Sequence, residues 1–295
     1  MAVARKVTDI IFELHNRNFF NNISSVIDLG DQDLNLDYSE VERYFKKFNV
    51  KFDPNLFSLA KNYPKRPRVS SSILWKTLGI NNNADKIDIE KEDRPENQNI
   101  GKFIKHDLNL PLTDKNLIGK YDLVTDFGNN EHPFNFIEAY KTMHKLCKEK
   151  GYLMIDQCLF KGNGFVNFDV SFFENFAAVN HYSNIHSCLI FNFPKNKYFT
   201  TPIQKDYLDL VDLNKVENIG IFYLLKKEKS EDFKFPYQDR GSNWNSEELY
   251  SIDYSFKDEM PHKFYLPQSA EHIAFKKLIK IIWNKIKRRI KIFTK

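Results

Sequence analysis

The chain lacks the features that mark secreted, membrane-spanning and zinc-binding proteins. Its three cysteines are odd in number and form no CxxC pair, which argues against a disulfide framework or a zinc ribbon and favours a reducing compartment. No run approaches the about 18 uncharged apolar residues of a membrane-spanning helix. The N-terminus has no apolar signal-peptide segment. We therefore expect a cytoplasmic protein without a metal site.

Three common ligand-binding and catalytic motifs are also absent. The sequence has no GxGxxG motif for a dinucleotide, no GxxxxGK[ST] motif for a nucleotide phosphate, and no GxSxG motif for a hydrolase nucleophile. These absences disfavour NAD-dependent, phosphate-loop and esterase-like functions.

The composition is that of an ordinary globular protein. Of the 295 residues, 42% are hydrophobic and 28% are charged, which excludes a collagenous or wholly disordered chain. A chain of this length buries about 75% of its unfolded surface. It therefore needs no disulfide or metal to be stable, and it has room for one large or two modest domains.

The positive charge is concentrated at the C-terminus. The net charge is +5, but residues 272–295 contain nine lysines or arginines and no acidic residue. Without that segment the body carries a net charge of −4, which is a poor electrostatic footprint for nucleic acid. We therefore expect no nucleic-acid partner.

The C-terminal segment has the pattern of a basic amphipathic helix over residues 268–295. Its apolar residues recur at steps of three and four, with Trp283 beside them. This pattern predicts a helix lying on an anionic membrane surface through residues 272–295, at the inner face of the membrane. The alternatives are docking onto the protein itself or a partner subunit, and RNA binding. The stripe comprises Phe275, Leu278, Ile279, Ile282, Ile286, Ile290 and Phe293.

Short apolar runs alternate with helical patterns along the first 226 residues. This alternation predicts an α/β fold whose central sheet is mostly parallel. A polar, irregular extension follows over residues 227–267. Strands are predicted at residues 24–30, 86–89, 102–106, 121–127, 152–159, 185–193 and 220–226; helices are predicted at residues 1–22, 38–48, 55–61, 71–78, 134–148 and 171–180.

An acidic or polar residue stands at the end of each of the first four main strands. The first strand ends at Asp28 and Gly30, the second contains Asp88, the third ends at Asp107, and Glu131 with His132 follows the fourth. In an open parallel sheet, ligands bind beyond the carboxyl ends of the strands. The spacing therefore predicts a binding site that these residues share.

This order of strand ends resembles the class I S-adenosylmethionine-dependent methyltransferases. The resemblance covers roughly residues 22–225, and residues 121–156 are similar to the family's fourth strand, helix and fifth strand. It implies a Rossmann-like three-layer sandwich that binds S-adenosylmethionine. Residues 162–182 (GNGFVNFDVSFFENFAAVNHY) are similar to bacterial methyltransferases of glycan and natural-product gene clusters. The acceptor implied is a small molecule or a carbohydrate, including a lipid- or nucleotide-linked glycan.

The resemblance also implies roles for the strand-end residues. Asp28 and Gly30 would stand at the methionine end of the cofactor, and Asp88 would accept hydrogen bonds from the ribose hydroxyls. Asp107, with Leu108 beside it, would lie at the adenine, and Glu131 is a further cofactor-binding candidate. A carboxylate suits a ribose diol because it accepts two charge-assisted hydrogen bonds at once.

His132 is the candidate catalytic residue. A histidine titrates near neutral pH, so it can take a proton from a hydroxyl acceptor. The alternatives are that His132 packs under the cofactor, or that it caps the helix beginning near Phe134. In the loop that follows, Asn163, Asn167 and Phe168 either line an acceptor pocket or belong to a plain connection.

The sequence departs from the family at the first turn. Where the family has two or three glycines, this chain has only Gly30, followed by Asp31 and Gln32. The 60 residues from Asp28 to Asp88 also exceed the about 20 typical of such a unit. We therefore predict a helical insertion over about residues 34–70, as a lid over the acceptor. The alternative function is a catalytically degenerate methyltransferase fold that acts as a membrane-associated binding or scaffold protein.

Overall fold

The computed structural model describes residues 2–61, 68–80, 84–91, 100–203 and 206–236. The predicted basic helix and all but the first ten residues of the predicted polar extension lie outside these ranges. Within them, no helix combines the length and apolar character needed to cross a membrane.

The described chain contains eleven strands and six α-helices. The strands are β1 (Ala2–Val3), β2 (Val26–Leu29), β3 (Asp33–Asp37), β4 (Arg68–Ser70), β5 (Ala84–Asp88), β6 (Phe103–Lys105), β7 (Tyr121–Phe127), β8 (Cys147–Phe160), β9 (Tyr182–Phe193), β10 (Lys197–Thr201) and β11 (Asn218–Lys227). The helices are α1 (Arg5–Asn16), α2 (Tyr38–Lys47), α3 (Pro54–Lys61), α4 (Ser71–Thr77), α5 (Phe136–Leu146) and α6 (Val170–Val179).

Eight strands form the main sheet in the order β10-β9-β11-β8-β7-β2-β5-β6. Strands β6, β5, β2, β7 and β8 are parallel, whereas β11 is antiparallel to both of its neighbours, and β10 is antiparallel to β9. The first five main-sheet strands therefore follow the 3-2-1-4-5 order of doubly wound folds, and the strand order reverses between β2 and β7. The predicted mixed α/β fold with a mostly parallel sheet is confirmed.

Helices cover both faces of this sheet, which makes three layers. Successive residues of a strand point to opposite faces, and the core divides accordingly. Val26 packs in the cluster that contains residues of α1 and α4. Ile27, its neighbour in β2, packs in the cluster that contains residues of α5 and α6. The apolar strand runs are continuous because both faces are buried.

The connection between β2 and α4 holds the insertion. It contains α2 and α3, which match the predicted helices, together with β3 and β4. These two strands form a small sheet with β1. The segment is therefore mixed rather than wholly helical as predicted. Its two ends meet, since the Ser71 amide donates to the Gln32 carbonyl at 3.0 Å. Leu36 and Phe45 of the segment join the same core cluster as α1 and Val26.

Most predicted elements are confirmed within a few residues of their bounds, including the N-terminal helix. The strand predicted at residues 121–127 matches β7 at both ends. The prediction missed the short strands β1, β3 and β4 and the antiparallel edge strand β10.

Candidate functional site

A polar cavity of about 410 Å³ opens at the carboxyl ends of β7 and β8. Its floor includes Gly128 and Asp156, and Gly220 of β11 lies on a neighbouring wall. Arg5 of α1 and Asn35 of β3 contribute from the insertion side. A volume of this size suits a small-molecule ligand. The site therefore lies beside the reversal of strand order, where a doubly wound fold binds its ligands.

Hydrogen bonds and an ion pair from neighbouring side chains hold the turn after β2 in place. Gly30 adopts φ +85°, a left-handed conformation that favours glycine. Asp88 Oδ2 accepts the Asp31 amide at 2.9 Å, so the ends of β2 and β5 are joined. Lys86 forms a buried ion pair with Asp31. Gln32 is fully buried, and its Nε2 donates to the Leu29 carbonyl at 2.5 Å.

Asp28 lies beneath this turn and is only 1% exposed. Its carboxylate accepts hydrogen bonds from Ser71 Oγ at 2.6 Å, from Trp75 Nε1 at 2.9 Å, and from the Thr125 hydroxyl. Burial raises the pKa of Asp28. With both oxygens engaged, this residue fixes α4 against β2 and β7 and positions the turn above it. The structure thus gives Asp28 a supporting position rather than an open one.

Asp107 and Leu108 follow β6 at the same edge of the sheet. Asp107 Oδ1 accepts both the backbone amide and the side-chain Nδ2 of Asn109, and these bonds lower the pKa of Asp107. Leu108 is buried in the core cluster that also contains Leu29. Asn109 Oδ1 in turn accepts the Asn135 amide at 2.9 Å. The loops after β6 and β7 are therefore held together.

Glu131 lies on the cavity wall, and His132 stands next to it. Glu131 is 4% exposed, and its Oε2 has no hydrogen-bond partner among the described residues. Burial raises the pKa of Glu131 and lowers that of His132. His132 is partly exposed, with Nε2 3.7 Å from Glu131 Oε1. Helix α5 begins at Phe136 after Asn135, so His132 does not cap it.

The structure adds two carboxyl groups that the sequence reasoning missed: Asp126, which is buried, and Asp156, which is half-buried. Asp126 accepts the amides of Asn129 and Asn130, and Gln157 Nε2 donates to it at 2.7 Å. Asp156 faces the cavity, and no described group donates a hydrogen bond to its carboxylate. Burial, and then the negative charge of Glu131, raises the pKa of Asp156 to about 8; burial raises that of Asp126 to about 7.

A sequence signal for these two residues does exist. Asp126 and Asp156 each interrupt an apolar strand near its carboxyl end, in YDLVTDF and YLMIDQC. A strand buried on both faces is otherwise a continuous apolar run. A carboxyl group inside it therefore indicates a site residue at the ligand-binding edge.

The loop between β8 and α6 also meets the cavity. Asn163 lines the cavity, as the pocket interpretation predicts. Asn167 instead accepts the Gly162 amide, and Phe168 is a core residue. Gly164 lies so close to Glu131 that a Cβ atom there would stand 2.5 Å from the Glu131 carbonyl oxygen. This loop therefore fixes the position of Glu131.

No protein-family model and no curated protein sequence matches the chain. Several solved structures are similar to it. A putative methyltransferase from Bacillus halodurans is 12% identical, with 74% of this chain and 99% of that chain covered and a TM-score of 0.39. A SAM-dependent methyltransferase from Archaeoglobus fulgidus is 11% identical, with 74% and 94% covered and a TM-score of 0.36. At these values the likenesses do not indicate which residues of this chain bind or react.

Proposed function

We propose that this chain binds S-adenosylmethionine and transfers its methyl group to a small-molecule or carbohydrate acceptor. The observation that carries the proposal is the polar cavity at the carboxyl ends of β7 and β8, on the edge of the sheet where β2, β5 and β6 also end. The two halves of this edge of the sheet bind different substrates. The cofactor takes the half formed by β2, β5 and β6, and the acceptor takes the cavity over β7, β8 and β11.

Two features of the cofactor half, the edge formed by β2, β5 and β6, fit S-adenosylmethionine. Asp88 is only partly buried, and each of its oxygens has accepted one backbone amide, which leaves lone pairs for a ribose diol. Gly30 has no side chain and allows backbone to approach a ligand closely. Asp107 and Leu108 hold the adenine end, and Asp28 supports the turn from below. The bound cofactor supplies a methyl group already activated on a sulfonium.

The turn at Asp31 and Gln32 sets the affinity of this site. The Asp31 amide already donates a hydrogen bond to Asp88. The buried Gln32 side chain stands where the class I methyltransferases that the sequence resembles have glycine. Gln32 Oε1 is buried without a hydrogen-bond partner in the described structure. An orphaned acceptor of this kind is costly, so we expect this side chain to restrict the turn without adding a satisfied contact.

His132 is the candidate base for a protonated acceptor. Because burial lowers its pKa, the imidazole is neutral at pH 7 and ready to accept a proton. Glu131 is close enough to favour the imidazolium that results. The pair would hold the proton next to the cavity wall while the acceptor is aligned.

The test is calorimetric titration of the full chain with S-adenosylmethionine and S-adenosylhomocysteine. We expect micromolar binding that Asp88→Ala weakens at least about tenfold, since it removes a charge-assisted hydrogen-bond acceptor. Asp114→Ala is the matched control, because Asp114 is an exposed aspartate that caps a short turn before β7. No binding of either ligand by folded protein up to millimolar concentration would overturn the proposal and favour a scaffold role.

We also propose that residues 272–295 bring the protein to an anionic membrane at the inner face, where a lipid-linked glycan would be an accessible acceptor. Each lysine or arginine near an anionic surface contributes about 1 kcal/mol, and this segment has nine. Flotation with anionic liposomes should depend on these residues. Equal flotation of the chain with residues 272–295 deleted would refute the membrane role.

A further inference from the structure

The cavity contains carboxyl groups that no described lysine or arginine pairs with. Glu131 and Asp156 both face it, and Asp126 lies behind them with Gln157 between. Among the described residues, only His132 comes within ion-pair distance of any of these carboxylates. Gln157 is 2% exposed and leaves its Oε1 without a partner in the described structure. The wall therefore presents acceptor oxygens with no donors opposite them.

The basic residues of the cavity wall are engaged elsewhere. Arg5 forms an ion pair with Glu40 at 2.6 Å. Lys161 Nζ donates to the carbonyls of Leu213 and Val216. Lys197 is exposed at the rim. None of the three forms an ion pair with Glu131 or Asp156, so no basic residue of the described wall neutralises these carboxyl groups.

A buried, unpaired acceptor oxygen is unfavourable unless a ligand supplies its donor. Two kinds of cation could satisfy such an oxygen: a metal ion that coordinates it, or an ammonium group that donates hydrogen bonds to it. No set of three His, Cys, Asp or Glu side chains in the described ranges has the geometry to hold a metal ion. We propose that the cavity binds an acceptor with a positively charged amino group, and that the carboxylates of Asp156 and Glu131 hold this group. This inference rests on the proposed function in one respect: it takes the bound amine to be the methyl acceptor.

Gly220 supports access to Asp156. A Cβ atom at residue 220 would stand 3.5 Å from Asp156 Oδ1. The absence of that atom leaves one side of the carboxylate open to the cavity. Asn192 and Asn218, on the same wall, pair with each other and supply further polar edges for a hydroxyl-bearing ligand.

The experiment compares three sugars of different charge: D-glucosamine, with an ammonium group at C2, neutral D-glucose, and D-glucuronate, with a carboxylate at C6. Binding to the full chain is measured by ligand-observed NMR titration at pH 7 without S-adenosylmethionine. We expect glucosamine to bind about tenfold more tightly than glucose, and glucuronate not to bind. Asp156→Asn and Glu131→Gln should each remove most of this preference. Asp209→Asn, which neutralises an exposed carboxylate that does not line the cavity, should preserve it.

The inference is overturned if glucosamine shows no saturable binding, or if it binds no better than glucose. It is also overturned if S-adenosylhomocysteine displaces glucosamine competitively, because the carboxylates would then belong to the cofactor half. Since the sugar titrations contain no cofactor, failure of cofactor binding leaves this result standing. Conversely, cofactor binding without amine preference refutes the inference alone.

Discussion

Asp156 should destabilise the folded protein, so its replacement by asparagine should raise the free energy of unfolding. In the unfolded chain this carboxyl ionises above about pH 3.8, whereas in the folded chain its pKa is about 8. Between these values the folded state binds more protons than the unfolded state. Stability therefore falls as the pH rises from about 4 to about 8. Asp126, with a folded pKa of about 7, adds to the same trend.

The magnitude follows from the same pKa values. At pH 7 the carboxyl is about three units above its unfolded pKa, and each unit corresponds to about 1.4 kcal/mol, which gives an upper bound of about 4 kcal/mol. Part of that is repulsion from Glu131 and Asp126. We expect Asp156→Asn, which keeps the shape and removes the ionisation, to gain about 2 kcal/mol at pH 7.

The assay is urea unfolding of the wild type, Asp156→Asn and Glu217→Gln at pH 4, 7 and 8.5. Asp156→Asn should match the wild type at pH 4 and exceed its stability at pH 7 and 8.5. Glu217→Gln should follow the wild type throughout, because Glu217 is exposed. A loss of stability in Asp156→Asn at pH 8.5, or a gain that does not depend on pH, would refute the reasoning. A gain in stability with a loss of amine binding would mark Asp156 as a functional residue.

Three further predictions concern the cofactor half. Gly101→Ala should cost at least about 2 kcal/mol in urea unfolding, because its Cβ would stand 2.0 Å from the Ala84 carbonyl oxygen. Trp75→Phe should cost about 1–2 kcal/mol, because it removes the indole donor to buried Asp28; equal stability would contradict this. Gln32→Gly should tighten S-adenosylhomocysteine binding in calorimetry by opening the turn, and weaker binding by the folded variant would show that the glutamine contributes to the site.

The apolar runs explain why so much of the fold could be predicted. Strands such as β7 are buried on both faces, so sequence and structure share the same bounds. Asp33–Asp37 alternates leucine with polar residues, which is a strand pattern, but strand β3 is only five residues long and leads directly into a stretch with helical spacing. Its last residue, Asp37, also begins α2 with a capping box to Glu40. The strong signals for helix α2 therefore led to a helical prediction for the whole segment.

Of the cofactor-binding and catalytic residues named from the sequence, only Glu131 lines the described cavity, and their roles stay predictions. The strand ends at Asp88 and Asp107 reach the expected edge of the sheet, because parallel strands end together. The partners of Asp28 could not be predicted, since Trp75 and Thr125 are 47 and 97 residues away in the chain. The roles of Asp28 and His132 in binding and catalysis stay predictions.

The shared core of the insertion has a consequence for how the molecule opens. Phe45 of α2 packs its ring against Phe12 of α1, with centroids 5.7 Å apart, in the same apolar cluster as Val26 of the main sheet. Elements joined in this way belong to one cooperative unfolding unit. Amide protons in α2 should then exchange with solvent as slowly as those of α1. We therefore expect the insertion to open only when this whole unit unfolds, rather than as a separately moving lid.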